Sequence, residues 1–571
     1  MRVERLTDFE DNSIFTADLV IVGAGPAGLT IATQCAGTGR RVLVVESGIE
    51  VETERHSELN AVENIGELRS EAQVRKRIEF HGPQAQLWSP QVQPFGVRCR
   101  ALGGSTHAWA GKSAPFDVID FNSRPWVPHS GWPVDRAAIE PYLLRATEVL
   151  NLSPMAPTRR FDTEGLHSFY WQFARSRVDK LDVMRFGSEV MAWRPDNLHI
   201  LLDASVTHVG LSEDGTQFSY LEIASMEGRR ARVKAKLCVL AASGIENARL
   251  LLASDDIHPN GIGNCHDVVG RYLMDHAAAR VGRFSAHEMA APAKLFGFFG
   301  VHHKKRAHMF MHGLALTEQM QEQEQLLNAA IYFSTERAPD DPWDALKKLL
   351  RWKSTSINRD LLSVATGSGF LARGIGMKIL SDHRTPQVVK DLVINTAIRL
   401  SPNMVADEFQ SRGLPHKLSG LRIEAICEQM PNPDSRVSLS SRKDRFGTPL
   451  ARVDWRINAA ERHTLLRIAE LSRVALVSHG LPAPTLEEWA RDRRPEDIVI
   501  IDMAHTLGTT RMSDNPKTGV VDRNCKVHGL PNLFVAGGSV FPTSGHANPT
   551  LMIIAFAIRL ADRLDAELKA A

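Results

Sequence analysis

The sequence predicts an α/β fold whose nucleus is a doubly wound, Rossmann-like parallel sheet, and three observations point to it. Near the N-terminus an apolar strand runs into a glycine turn, a helix and a second strand. The strand-into-glycine pattern returns at Cys238–Gly244 and again at Asn532–Gly538, each time ahead of a helical run. Further along, Ala451–Ile457 alternates apolar and charged residues, the mark of a strand with one wet face.

Leu19–Val22 is an apolar run bounded by glycine, which suits a strand buried on both faces. In the turn that follows, Gly23 permits the tight bend, Gly25 lets backbone approach a pyrophosphate, and Gly28 lets the next helix pack close to the strand. That helix, over 27–37, aims its first amides at the phosphates. The second strand, over 41–46, ends in Glu46, eighteen residues after Gly28, where a ribose hydroxyl acceptor belongs. A lone glycine fingerprint is weak. Strand, turn, helix, strand and terminal acid in this order indicate a dinucleotide site, and the acid disfavours a 2′-phosphate by repulsion. Between NAD and FAD this unit alone leaves the choice open.

At 571 residues the chain has room for two core-bearing units. Basic and acidic residues nearly cancel, leaving a formal charge of +2, so no nucleic-acid or anionic-membrane partner is indicated. No apolar run approaches the ~20 residues that span a bilayer, and residues 1–10 lack the apolar segment of a secretory signal. The six cysteines are scattered without a CxxC pair, which reads as thiols in a reducing cytoplasm, with no disulfide framework and no metal site. The expected location is cytoplasmic, with export on a partner subunit as the alternative.

Gly103-Gly104-Ser105-Thr106, Ser130-Gly131-Trp132-Pro133, Gly263-Asn264 and Val269-Gly270-Arg271-Tyr272-Leu273-Met274-Asp275-His276 stand in the first half of the chain. His505-Thr506-Leu507-Gly508-Thr509-Thr510-Arg511-Met512 and Ala547-Asn548-Pro549-Thr550-Leu551 stand near its end. In this order they resemble the motifs of the glucose–methanol–choline (GMC) flavoprotein oxidoreductases, over 14–280 and 420–571. The flavour is that of the branch with pyranose oxidases, sugar dehydrogenases and bacterial glycoside oxidases.

The resemblance implies a p-hydroxybenzoate hydroxylase-like architecture. A discontinuous FAD-binding domain would occupy 1–110, 190–285 and 497–571. A substrate-binding domain over 111–189 and 286–496 would carry a mainly antiparallel sheet flanked by helices. FAD would be held by Gly23, Gly25, Gly28 and Glu46, and by Gly104, Ser105, Thr106 and His107 of a small-residue loop. Val206, Ala242, Gly537, Gly538, Asn548, Pro549 and Thr550 would complete its site.

Oxidising an alcohol removes a proton from oxygen and a hydride from carbon, and histidine suits the base because its pKa lies near working pH. In the family the base precedes the Gly-Thr-x-x-Met motif. His505 stands there, and Asn548, forty-three residues on, takes the place of its hydrogen-bonding partner. His546 is the rival base, since alternate residues of an extended segment share a face. Pro549 suits the first position of a helix whose N-terminus would face the flavin and stabilise charge on the reduced ring. Relatives that attach their flavin covalently use a Ser-Thr-His-Trp loop. Here Ala108 separates His107 from Trp109 and the loop is out of register, so noncovalent FAD is expected, with a link through His107 as the alternative.

The expected reaction is proton abstraction by histidine with hydride transfer to flavin N5. The expected substrate is a secondary hydroxyl of a sugar or glycoside, and the product a keto sugar. A non-sugar alcohol (aryl alcohol, sterol or natural-product intermediate) and a flavin subunit of a membrane-linked dehydrogenase complex are the alternatives. Oxygen or a quinone-like acceptor would reoxidise the flavin. No CxxCH haem site or iron–sulfur spacing occurs, so any onward carrier would be separate, and an oligomer or a small partner subunit is compatible.

Leu201–Thr207 reads as a single strand, and Arg124–Leu150 as a Trp- and Pro-containing loop leading into a helix. The resemblance places strands such as Ala451–Ile457 in the sheet that floors the substrate pocket, and makes Gln429 and Arg436 candidates for substrate contact or for the surface. Residues 286–420 give the least. Ala345–Lys353 has basic residues between apolar ones at helical spacing, either a docking surface or lid, or a helix with one buried face.

Overall fold

The computed structural model describes residues 1–36, 39–81, 93–154, 157, 160–178, 182–303, 306–350, 356–369, 371 and 416–570. Strands without polar side chains must be covered on both faces, and they take the middle of the first sheet. Val42–Val45 pairs in parallel with the apolar end of Ser13–Val22, in the register Leu19 to Val42 and Val22 to Val45. Leu198–Leu202 and then Arg2–Arg5 extend the sheet on one side, and Arg230–Leu240 on the other, all parallel. Leu533–Val535 adds a parallel strand from the far end of the chain against Cys238–Leu240. The last residues of Arg230–Leu240 are buried without interruption there, whereas its first half alternates and pairs antiparallel with Phe218–Ala224.

The segment over 201–207 is two strands, not one. Leu198–Leu202 ends in the parallel sheet, Asp203 turns the chain with φ +50°, and Ser205–Leu211 leaves antiparallel to Phe218–Ala224. The Asp203 carboxylate fixes this corner by accepting hydrogen bonds from Met226 N and His56 Nε2. Helices Pro26–Ala36, Thr550–Ala570 and Arg136–Val149 pack in succession beside the sheet. Gly28 makes the first of these contacts possible, because a Cβ there would stand 2.0 Å from Gly23 O.

The second large sheet is antiparallel throughout. Its order is Thr485–Leu486, Ala277–Ser285, Leu418–Cys427, Ala329–Arg337, Arg306–Leu316, Leu166–Phe173 and Lys112–Ser113, with Phe298–His303 paired to Arg306–Leu316. Ala329–Phe333 and Ile423–Cys427 are buried residue by residue, and helix Ala459–Ser478 packs on these two strands. Covered strands lose the alternation that marks a wet face, so this sheet was hidden in the least readable stretch.

Strand Pro449–Asp454 does alternate, and it lies elsewhere. With Arg436–Lys443 and Val62–Asn64 it forms a separate three-stranded sheet, so the expectation that it floors the pocket is corrected. Helix Pro342–Leu350 buries Pro342, Trp343 and Ala345 and exposes Leu350, as a helix with one buried face does. Arg351–Lys353 lie outside the described residues. No helix among the described residues is long and apolar enough to cross a membrane.

Arg124 ties the loop before helix Arg136–Val149 to the antiparallel sheet. Its two terminal nitrogens donate to the Glu428 carboxylate at 2.7 and 2.5 Å, and both side chains are buried. Removing the cation leaves a carboxylate uncompensated in the interior, so Arg124→Met should cost about 3–5 kcal/mol of stability. A urea midpoint within error of the parent would show that this pair does not hold the two parts together.

Candidate active site

The parallel sheet and the antiparallel sheet meet across one cavity. Gly23, Gly25, Glu46, Gly104, Ser105, Thr106, Val206, Ala242, Gly537, Gly538, Asn548, Pro549 and Thr550 all line it. At Gly25 and Gly537 a Cβ would meet nothing within 4 Å, so the backbone is bare on the cavity side at both glycine turns. First-turn amides of Pro26–Ala36 and Thr550–Ala570 have no partner within their own helices. Bare glycine backbone at two turns, together with the first-turn amides of two helices, fits an elongated anionic dinucleotide. Glu46 accepts hydrogen bonds from Ala24 N and Gly48 N, both at 2.8 Å, which fixes its carboxylate at the cavity edge. Gly28 lies behind, in the helix–strand contact.

At the other end of the cavity stands His505. The buried Asp275 carboxylate holds its segment, accepting from His505 N at 2.7 Å, from Met503 N at 2.8 Å and from its neighbour His276 N at 2.7 Å. Between the two tethered amides Ala504 bends through φ +61°. Behind the motif, Gly508 sits at φ +83°, where a Cβ would stand 2.2 Å from Tyr272 O.

A chain of hydrogen bonds decides where the protons lie. Ser544 O can only accept, so His276 Nε2, 3.2 Å away, carries a proton and donates it. In a neutral ring His276 Nδ1 is then the acceptor, and His505 Nδ1, at 2.9 Å, is the donor. His505 Nε2 is left with a lone pair, and the Asn548 side-chain amide donates to it at 3.2 Å. Burial holds His276 down to about 4, so the neutral ring is its resting form. Burial first, and then His276, His81 and Lys112, hold His505 well below the ordinary histidine range. The result is a neutral imidazole with its basic nitrogen beside an amide donor.

Asp275, His276 and His505 bring ligand atoms within 4.8 Å of one another. The carboxylate already accepts three backbone amides and the imidazoles are bonded to each other, so the group is built as a positioning network.

Other sequence candidates fall away from the cavity. His107 donates Nε2–H to Leu102 O at 2.9 Å and is not among the lining residues, although its neighbours Thr106 and Ala108 are. His546 is buried edge-on to the Phe169 ring, 4.6 Å between centroids, with Nδ1 3.8 Å from Asp117, and it does not line the cavity. Its extended-segment face is broken by Gly545 at φ +55° just before it. Gln429 is buried in a structural role: it accepts from Asp275 N and Trp455 Nε1, both at 2.7 Å, and donates to Arg456 O at 2.8 Å. Arg436 pairs with Asp267.

Residues not singled out from sequence complete the wall: Phe80, His81, Lys112, Tyr332 and Met503. The signal for His276 was present, an Asp-His pair within a quoted motif. Lys112 and Tyr332 carried none, being single residues in unmarked strands.

Residues 431–557 match the family model of GMC oxidoreductases, and residues 21–56 that of the NAD(P)-binding Rossmann-like domain. The chain is 24% identical to 2-methyl-1,2-propanediol dehydrogenase of Mycolicibacterium austroafricanum, over 95% of this chain and 94% of that one. It is 26% identical to the fructose dehydrogenase large subunit of Gluconobacter japonicus, over 98% and 99%. Among solved structures it is similar to pyridoxine 4-oxidase from Mesorbium loti, with a TM-score of 0.54 and 17% identity over 96% of this chain and 99% of that one, a likeness of fold.

Gly25→Val tests the cradle directly. Nothing within 4 Å obstructs the new side chain, so the fold should survive with unchanged far-UV circular dichroism while the purified protein loses its bound chromophore. A variant that retains a full complement would show that the dinucleotide does not cross this turn.

Proposed function

Because the chain belongs to the GMC oxidoreductases, we propose that it uses FAD to oxidise an alcohol, with His505 as the base and Asn548 beside it. The observation that carries this reading is the His505 Nε2 lone pair, fixed by the Ser544–His276 chain and set beside the Asn548 amide at the end of the dinucleotide cavity. Gly25, Glu46, Gly104, Ala242 and Gly537 would hold the cofactor. Bound FAD supplies the hydride acceptor.

The substrate hydroxyl donates its proton to His505 Nε2 as the carbinol hydrogen departs. Asn548, released from the ring nitrogen, donates its amide hydrogen to the substrate oxygen and keeps that oxygen in reach. Protonated His505 still donates Nδ1–H to His276, whose lone pair faces the new charge. The depressed basicity of His505 keeps the ring neutral before the step and favours release of the proton after it.

A sugar or glycoside is the substrate this reading favours, supported by a full-length relative named for fructose. The dehydrogenase named for a small diol supports the non-sugar alternative. Anaerobic bleaching of the flavin by a panel of sugars and simple alcohols separates them.

His505→Ala should leave FAD bound and slow flavin reduction by at least ~10²-fold, the usual scale for a positioned base. His276→Ala should slow it by roughly 10-fold or more, and His276→Asn should recover part of the loss because its side-chain oxygen still accepts from His505 Nδ1. A depressed histidine is basic above its lowered pKa, so the reductive rate should hold level through the ordinary histidine range and fall only on acidification below it. His546→Ala as the dead variant, with His505→Ala near normal, would reverse the assignment.

The flavin is held without a covalent bond. Acid precipitation should release yellow flavin into the supernatant; flavin retained by the pellet, and freed in His107→Ala, would overturn this.

A further inference from the structure

Among the charged groups on the cavity wall, Arg98, Arg100 and Arg249 pair with Glu246, while Lys112 is left unused by the chemistry above. Lys112 follows the small-residue loop in the short strand Lys112–Ser113, which pairs with Leu166–Phe173. Its Nζ stands 3.8 Å from the centroid of the Tyr332 ring and 5.2 Å from that of Trp171. Lys112, Tyr332, His81 and His505 all line the cavity, so the ammonium and the base share one space.

A cation in an apolar wall is costly unless a counter-charge stands against it. Among the described residues, the carboxylate whose charge acts on Lys112 is that of Glu424, and the Tyr332 hydroxyl and the Ser334 side chain already hydrogen-bond to it. Glu46, Glu246 and Asp444 also line the cavity, but none of them is among the charges acting on Lys112, and the groups nearer to it add no negative charge. Burial holds His81 down to about 4 and His505 well below its usual range, so both are neutral, and burial pushes the Tyr332 hydroxyl up. Burial draws Lys112 itself down to about 8, which leaves it mostly protonated at neutral pH. The two aromatic rings hold the ammonium by their faces without neutralising it.

We propose that Lys112 is the anion-recognising group of the substrate pocket: the alcohol oxidised here carries a carboxylate, received by the Lys112 ammonium between the Tyr332 and Trp171 rings while the carbinol stands at His505. This rests on the alcohol-oxidation reading and narrows it to hydroxy acids such as sugar acids. A neutral analogue of the same shape brings the ammonium no charge beyond that of Glu424, so charge becomes a criterion of selection.

The test uses the oxidised holoenzyme and a matched pair without a carbinol, cyclohexanecarboxylate and cyclohexanecarboxamide, titrated against the flavin absorption band. The carboxylate should bind at least ~10-fold more tightly than the amide at pH 7, as hydrogen bonds to charged groups require. That preference should shrink as pH rises past about 8, persist in Lys112→Arg and vanish in Lys112→Met. Equal or absent binding of the two in the parent protein, or a preference that survives in Lys112→Met, overturns the proposal. Flavin loss in Lys112→Met without an acid preference in the parent places the ammonium on the cofactor and also overturns it. The alcohol reading is judged separately: if no alcohol bleaches the flavin while the acid preference holds, the anion site stands and that reading fails.

Discussion

The arrangement of the active site depends on one buried carboxylate. Asp275 receives three backbone amides, two of them from the segment that presents His505 and one from the residue that presents His276. Backbone donors cannot rotate away as side chains do, so the two imidazoles are fixed relative to each other before any ligand arrives. Gln429 closes the system from behind by accepting the Asp275 amide and the Trp455 indole N–H. Burial and the nearby Asp502 carboxylate push Asp275 up, and the three amide donors oppose that pull. Asp502 in turn is engaged by Arg77, at 2.5 and 2.9 Å, which joins helix Glu71–His81 to the segment that carries Met503 and His505. The carboxylates under the base are spent on geometry, and the imidazoles above them stay neutral.

Neutrality is the electrostatic theme of the cavity. His81, His276 and His546 are each drawn down to about 4 by burial, so none competes as a cation at neutral pH. A protonated His276 would have to donate from both nitrogens, would repel the His505 N–H and would reverse the tautomer chain. The depressed basicity of His276 is therefore what keeps the His505 Nε2 lone pair open to the cavity. At the His505 end of the cavity the Lys112 ammonium therefore stands against neutral imidazoles.

The fold was legible where local pattern and chemistry coincide. The N-terminal glycine turn and the strand–glycine units at Cys238–Gly244 and Asn532–Gly538 require particular backbone shapes, and the structure assembles all three in one parallel sheet. His505 and Asn548 were marked by their motifs, and they stand 3.2 Å apart. The antiparallel sheet was expected from the resemblance, but its individual strands were not legible in the pattern of residues. Its central strands are covered on both faces over Ala329–Phe333 and Ile423–Cys427, and the segment that alternates most clearly, Ala451–Ile457, belongs to a separate three-stranded sheet. For His107, a short loop sequence does not say which way the ring turns. Here the ring bonds to Leu102 O, a local partner five residues back.

His276 shows why the rest of the site could not be read from sequence. Its role is not a property of its neighbours along the chain but of a proton path that crosses from Ser544 to residue 276 and back to residue 505. Each link is decided by the one before it: a carbonyl that can only accept sets one tautomer, and that tautomer sets the next. Replacing Ser544 would leave its carbonyl in place, since the acceptor is backbone. The least replaceable part of the relay is thus the conformation of the chain around Gly545, at φ +55°, which aims that carbonyl inward. There a Cβ would stand 2.8 Å from the Asp120 carboxylate, so the direction of a backbone oxygen, and through it the basicity of His505, rests on a position where a side chain would be strained and would press on Asp120.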